Sequence, residues 1–146
     1  MRVYDILPSI MIRLAFFIAA AMTAIHFSAI EWGLYSGKVW IDIPLHFLGG
    51  ALLGVIWLYL SKKIFSSPPS CPLAIFQTGS FALLGSFAWE ALEFAVSELF
   101  PAFALRYKFY SFTVSDVISD MAFGLLGGVI AAMFYWALAA RRETPH

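Results

Sequence analysis

The chain has 146 residues, 62% hydrophobic and only 12% charged, with a mean hydropathy of +0.84. Soluble domains carry about 25% charged residues, so this composition excludes a water-solvated globule and asks for lipid as solvent. Nine basic and nine acidic residues cancel to zero net charge, which excludes the basic field that nucleic-acid binding requires. The single cysteine, Cys71, excludes an internal disulfide and has no Cys or His partner at metal-ligand spacing.

The first apolar stretch, about residues 8–30, follows a short segment containing Arg2 and Asp5, with Arg13 close behind. A cleaved signal peptide is the competing reading. No A-x-A-like site follows and another hydrophobic segment comes next, so the stretch reads as a retained span. Further apolar stretches cover about 41–60, 73–99 and 115–140, each near the roughly 20 residues a helical span needs. Between the second and third, residues 61–72 combine Lys62 and Lys63 with serines and prolines, a loop signature. The third linker, residues 100–114, sets Phe103, Tyr107, Phe109, Tyr110 and Phe112 around Arg106 and Lys108. Amphipathic rings favour the headgroup region, so this segment is expected as an interfacial loop lying along the outer face or over the helix ends.

The fold expected is therefore all-α: a single integral membrane domain over 1–146, built as a four-helix transmembrane bundle. Arg2, Arg13, Lys62, Lys63, Arg141 and Arg142 fall on one side against Lys38, Arg106 and Lys108 on the other. Basic residues resist translocation, so both termini are expected in the cytoplasm of a multi-pass cell-membrane protein, the inner membrane in a prokaryote.

Ionisable side chains inside a bilayer cost about 2.5–3.5 kcal/mol each on insertion scales and mark polar interiors. Here every span has one: His26, then Asp42 and His46, then Glu90 and Glu93, then Asp116 and Asp120. At about 1.5 Å rise per residue, His26, His46, Glu93 and Asp120 all lie about 6–9 Å inside the outer ends of their spans. Asp42 and His46 are four apart, as are Asp116 and Asp120, and Glu90 and Glu93 are three apart, so each pair occupies one helix face. The same faces continue into Gly50 and Gly54 and into Gly124 and Gly128, where small residues let helices approach closely in lipid. The Asp-x-x-x-His-x-x-x-Gly-x-x-x-Gly run mirrors Asp-x-x-x-Asp-x-x-x-Gly-x-x-x-Gly, and His26-Phe27 with Glu31 has the spacing of Glu93-Phe94 with Glu98. Two parallel hairpins related by an axis along the membrane normal would produce this pattern.

Glu90, Glu93, Asp116 and Asp120 cannot all be bare anions in such a place. Bound cations, protonation, or pairing with Arg106 and Lys108 folded in from the linker are the three ways out. Carboxylates with imidazoles suit Mg²⁺, Mn²⁺, Zn²⁺ or iron. The leading reading is a divalent-metal site of His46, Glu90, Glu93 and Asp120, supported by Asp116 and His26. His46, Glu93 and Asp120 would do the chemistry on a lipid-linked or amphiphilic substrate whose headgroup meets Arg106 and Lys108. Asp42, Glu31 and Glu98 read as interface charges. A proton relay or transporter, which with four spans would need a homo-oligomer, and a scaffold whose polar cluster fixes packing are the competing classes.

The segment Asp42-Ile43-Pro44-Leu45-His46-Phe47-Leu48-Gly49-Gly50, with Trp89-Glu90-Ala91-Leu92-Glu93 and Ser115-Asp116-Val117-Ile118-Ser119-Asp120, resembles the YjdF-like family of bacterial membrane proteins over about residues 42–130. The resemblance implies the same polar cluster and no particular activity. More distantly the chain is similar to the VanZ-like family, linked to glycopeptide resistance. In that pattern a Gln stands where this chain has Glu93, and an Arg lies close before the last acidic helix, whereas Arg106 lies ten residues before Asp116.

Single cysteines introduced at Ser36 and Ser67 in a Cys71→Ser background test the orientation. A membrane-impermeant reagent added to intact cells is expected to label position 36 and spare 67; labelling of 67 alone inverts the topology.

Overall fold

The computed structural model describes residues 3–35, 41–65, 70–109 and 113–140. These form five helices in the order α1 (Val3–Glu31), α2 (Asp42–Ile64), α3 (Cys71–Leu99), α4 (Pro101–Tyr107) and α5 (Val114–Ala140). Helices α1, α2, α3 and α5 are each long and apolar enough to cross a membrane, so the architecture is an all-α transmembrane bundle. Lys38, Ser36, Ser67, Tyr110, Phe112, Arg2, Arg141 and Arg142 lie outside the described residues.

Helix ends follow the punctuation in the chain, with two shifts from the expected boundaries. The helix of the second span continues through Ser61, Lys62 and Lys63, which place two cations in its last turn where they complement the helix dipole. Lys63 Nζ also lies 4.8 Å from the centroid of the Tyr59 ring. Cys71 and Pro72 belong to the first turn of α3, a position that tolerates proline because its missing N–H is unneeded there. The linker between α2 and α3 is correspondingly shorter than residues 61–72.

The third linker, expected as a loop, contains a helix. Pro101 opens α4, and Lys108 closes it in the left-handed conformation with φ 62. Phe103 and Leu105 on this short helix are exposed, as an interfacial element requires.

The packing centres on α2 and α5, which make the most extensive contact, with α3 against both. Among the described residues, helix α1 packs substantially on α2 alone, through Met11 and Ile18 against Val55 and Leu58. A duplicated pair of hairpins would set α1 against α5 as α3 is set against α2. The helix contacts do not show that symmetry.

Glycine makes the α2–α5 contact possible. A Cβ at Gly50 would run into the carbonyl oxygen of Gly124, and one at Gly127 into the carbonyl oxygen of Phe47. At Gly54 it would approach Gly128 Cα and Thr78 Cγ2 at 3.1 Å each. Outward-facing positions are bulky, with Phe16, Phe17, Phe76, Leu84, Phe94 and Phe134 all exposed. In lipid these rings meet acyl chains, so association must come from close packing at the small-residue face.

Replacing Gly50 by Ala is therefore expected to destabilise the bundle by about 2 kcal/mol or more, because backbone rather than a flexible side chain must move. Gly49→Ala, whose Cβ would meet only Met22 Cε at 3.4 Å, is expected to be neutral or slightly stabilising through helix propensity. Thermal melts of both variants in mild detergent check the contrast.

Candidate metal centre

One turn from the Gly50–Gly124 contact, toward the N-terminal ends of α2 and α5, α2 carries His46 and α5 carries Asp120. Because the backbones touch at the glycines, these two side chains have to meet. His46 Nε2 lies 3.8 Å from Asp120 Oδ2 and 3.6 Å from Asp42 Oδ1, one turn further out on α2. Helix α3 enters through Ser86, whose hydroxyl occupies the place a Cβ on Gly124 would need. One turn beyond Ser86, Glu90 puts Oε1 3.8 Å from His46 Nδ1. Imidazole thus sits between three carboxylates from three helices.

The cluster is well shielded. His46, Glu90 and Glu93 are buried, and Asp120 is 2% exposed. Asp120 Oδ1 is buried without a hydrogen-bond partner. A buried carboxylate oxygen left so costs several kcal/mol, which argues that a cation or proton belongs beside it. Asp42, His46 and Asp120 each offer a ligand atom within 4.8 Å of the others. Metal–ligand bonds of about 2.0–2.2 Å place adjacent donors about 3.0–3.5 Å apart; the two His46 pairs, at 3.6 and 3.8 Å, are within a few tenths of an ångström of that, and the Asp42 and Asp120 oxygens lie within 4.8 Å of each other. Two carboxylates and one imidazole fit a divalent cation of intermediate softness.

The structure redistributes the expected ligands. His46 and Asp120 are in the group, and Asp42, expected as an interface charge, joins them. Its spacing of four from His46 was the available signal. Glu93 is buried beside the group, with Oε1 accepting a 3.0 Å hydrogen bond from the Trp89 indole.

Asp116 has a different task. Thr113 Oγ accepts the Asp116 backbone N–H at 3.2 Å and donates to Asp116 Oδ2 at 2.9 Å. That closes the N-terminus of α5 as a cap of the Thr-x-x-acid type. The pattern Thr113-Val114-Ser115-Asp116 was legible beforehand.

His26 is also not among the grouped ligands. Its Nδ1 is 2.8 Å from the Tyr35 hydroxyl, and the ring also hydrogen-bonds the Tyr107 backbone. Burial and the nearby Asp42 and Glu93 carboxylates push the Tyr35 phenol above its ordinary value. The Tyr35 contact ties α1 to the segment that follows it, and the Tyr107 contact ties it to the end of α4. The same stitch is aromatic: Phe109 stands 6.1 Å from His26, 5.6 Å from Trp89 and 5.9 Å from Phe103, centroid to centroid. Arg106 is exposed beside this strap, its guanidinium 5.6 Å from the Tyr107 ring centroid. Glu31 and Glu98 are exposed, as interface charges should be.

Four spanning helices around a buried histidine–carboxylate cluster define a polytopic membrane protein with a polar core near one membrane face. The chain belongs to the family described as predicted membrane protein, DUF2238, whose model matches residues 6–141. That description does not carry the YjdF-like name and lends no support to the VanZ-like resemblance. No curated protein and no solved structure matches the chain.

Replacing Thr113 by Val is expected to cost about 1 kcal/mol through loss of the α5 cap, read as a lowered melting temperature in detergent. Asp116→Asn, which retains an acceptor for the threonine hydroxyl, is expected to cost less.

Proposed function

We propose that the cluster is a divalent-cation site, with Asp42, His46 and Asp120 as ligands. The observation that carries this is the convergence of their three ligand atoms around a 98%-buried aspartate, whose second oxygen has no hydrogen-bond partner. A divalent ion would offset both aspartates and accept the imidazole lone pair, removing the cost of burying them. Mg²⁺, Mn²⁺, Zn²⁺ and iron all accept this donor set.

When bound, such an ion activates water or polarises a phosphoryl or carbonyl oxygen. The chain's own residues favour an amphiphilic, lipid-linked substrate. Glu93, steadied by Trp89, stands beside the ligands as the group to take or give a proton, and Arg106 on the exposed outer strap meets an anionic headgroup, with Lys108 beside it.

Backbone contact at Gly50 and Gly124 beneath the cluster favours a pocket reached from the outer end over a path through the bundle. A relay or transporter would need the helices to part there.

Elemental analysis of protein purified in mild detergent and incubated with Zn²⁺, Mn²⁺, Fe²⁺ or Mg²⁺ tests the site. About one ion per chain is expected, lost in Asp42→Ala, His46→Ala and Asp120→Ala and kept in Asp116→Asn. A wild type that takes up none of the four ions refutes the reading. Proton uptake by liposomes that is abolished in Asp120→Asn would instead establish the relay, and variants that lose only stability would establish the scaffold.

A further inference from the structure

We propose that the groove between α1 and α2 holds one acyl chain of an anionic phospholipid, whose phosphate meets Lys63 and the Tyr59 hydroxyl at the mouth of the groove. The site is independent of the cation cluster, since Tyr59 lies about 20 Å along α2 from His46.

The groove follows from how α1 is held. Among the described residues α1 packs substantially on α2 alone. The small side chains of Ala15 and Ala19 leave space opposite Leu52 and Ile56, with Phe16 as one wall. The volume is about 320 Å³, and the groove runs from Met11 to Ala19 along α1, a length of about 12 Å. Its mean cross-section is then about 27 Å², whereas a helix about 10 Å across needs about 80 Å². A helix from a second copy is therefore too wide to enter. At about 30 Å³ for each methylene, the share a water molecule takes, the groove holds about ten carbons in line. One acyl chain has that shape.

The lining is apolar up to its last residue on α2. Among the described residues that line the groove, Tyr59 alone carries a hydroxyl. Lys63 Nζ stands 4.8 Å from the centroid of the Tyr59 ring. Lys63 is exposed and lies one turn beyond Tyr59 on the same face of α2. An apolar slot that ends in a phenol and an ammonium matches a hydrocarbon chain that ends at a phosphate. The C-terminus of α2 opposes an anion with about half a negative charge. Lys62 and Lys63, both in that last turn, outweigh it, so an anionic headgroup is favoured over a zwitterionic one.

Native mass spectrometry of the full chain in mild detergent tests the site, with phosphatidylglycerol and phosphatidylcholine of identical acyl chains added together. One phosphatidylglycerol per chain is expected, retained about fivefold over phosphatidylcholine. Lys63→Gln should bring that preference to about twofold or less while one lipid of either kind is still retained. Arg13→Gln removes a cation from the same stretch of α1 but not from the groove lining, and should leave the preference unchanged. Ala15→Leu fills the groove and should lower retention of both lipids by about fivefold or more. Ala19→Leu blocks the other end and is expected to do the same, so the test stands if Ala15→Leu fails to fold.

Equal retention of the two lipids by the wild type overturns the proposal. So does a preference that falls as far in Arg13→Gln as in Lys63→Gln, because general surface charge would then account for it. Undiminished lipid retention in the folded alanine-to-leucine variants places the lipid elsewhere and overturns it. A lipid-free dimer that Ala15→Leu dissociates assigns the groove to a second copy and overturns it as well.

Discussion

The backbone contact between α2 and α5 at Gly50 and Gly124 is the constraint on which the rest of the bundle depends. Neither residue has a Cβ, and either Cβ would occupy space already filled by the neighbouring backbone or by Ser86. Two helices that touch there must present to each other whatever stands one turn away. Toward the N-terminal ends of the two helices that is His46 and Asp120; toward their C-terminal ends it is Gly54 and Gly128, with Ala82 and Thr78 of α3 filling the seam. The polar site and its apolar floor are two ends of one packing decision.

Close packing also sets the electrostatics. Three helices pressed together leave little room for water around His46, Glu90, Glu93 and Asp120, all of them buried. Charge in such a place is tolerated only with compensation from opposite charge, proton or metal. A single imidazole between three carboxylates supplies at most one positive charge. The imbalance is the physical reason for placing a cation among Asp42, His46 and Asp120.

The end of the bundle that carries the cluster also holds a structure of another kind. His26 and Tyr35 tie the end of α1 to the Tyr107 backbone, and Phe109 gathers the rings of His26, Trp89 and Phe103. Trp89 in turn donates to Glu93. The aromatic strap is thus joined by a hydrogen bond to a buried carboxyl group beside the cluster. Helix α1, packed mainly on α2, contributes to this strap more than to the core.

Composition and run length were enough to establish four spanning helices, because burying about 20 apolar residues in lipid leaves helix as the only way to satisfy each backbone group. Helical spacing likewise put Asp42 with His46 and Asp120 with Gly124 on single faces, since that depends on the chain's own geometry alone. What spacing within one helix cannot express is which face meets which. Depth alone put His26 with the ligands, whereas in the fold its ring meets Tyr35 and the Tyr107 backbone, and Asp116, expected beside the ligands, has its backbone N–H capped by Thr113 and accepts the threonine hydroxyl. Asp42 looked peripheral until the α2–α5 crossing brought Asp120 to the same imidazole. Only tertiary structure could decide these, because the azimuth and approach of each helix are set by contacts such as Gly50 on Gly124, between residues 74 positions apart in the chain.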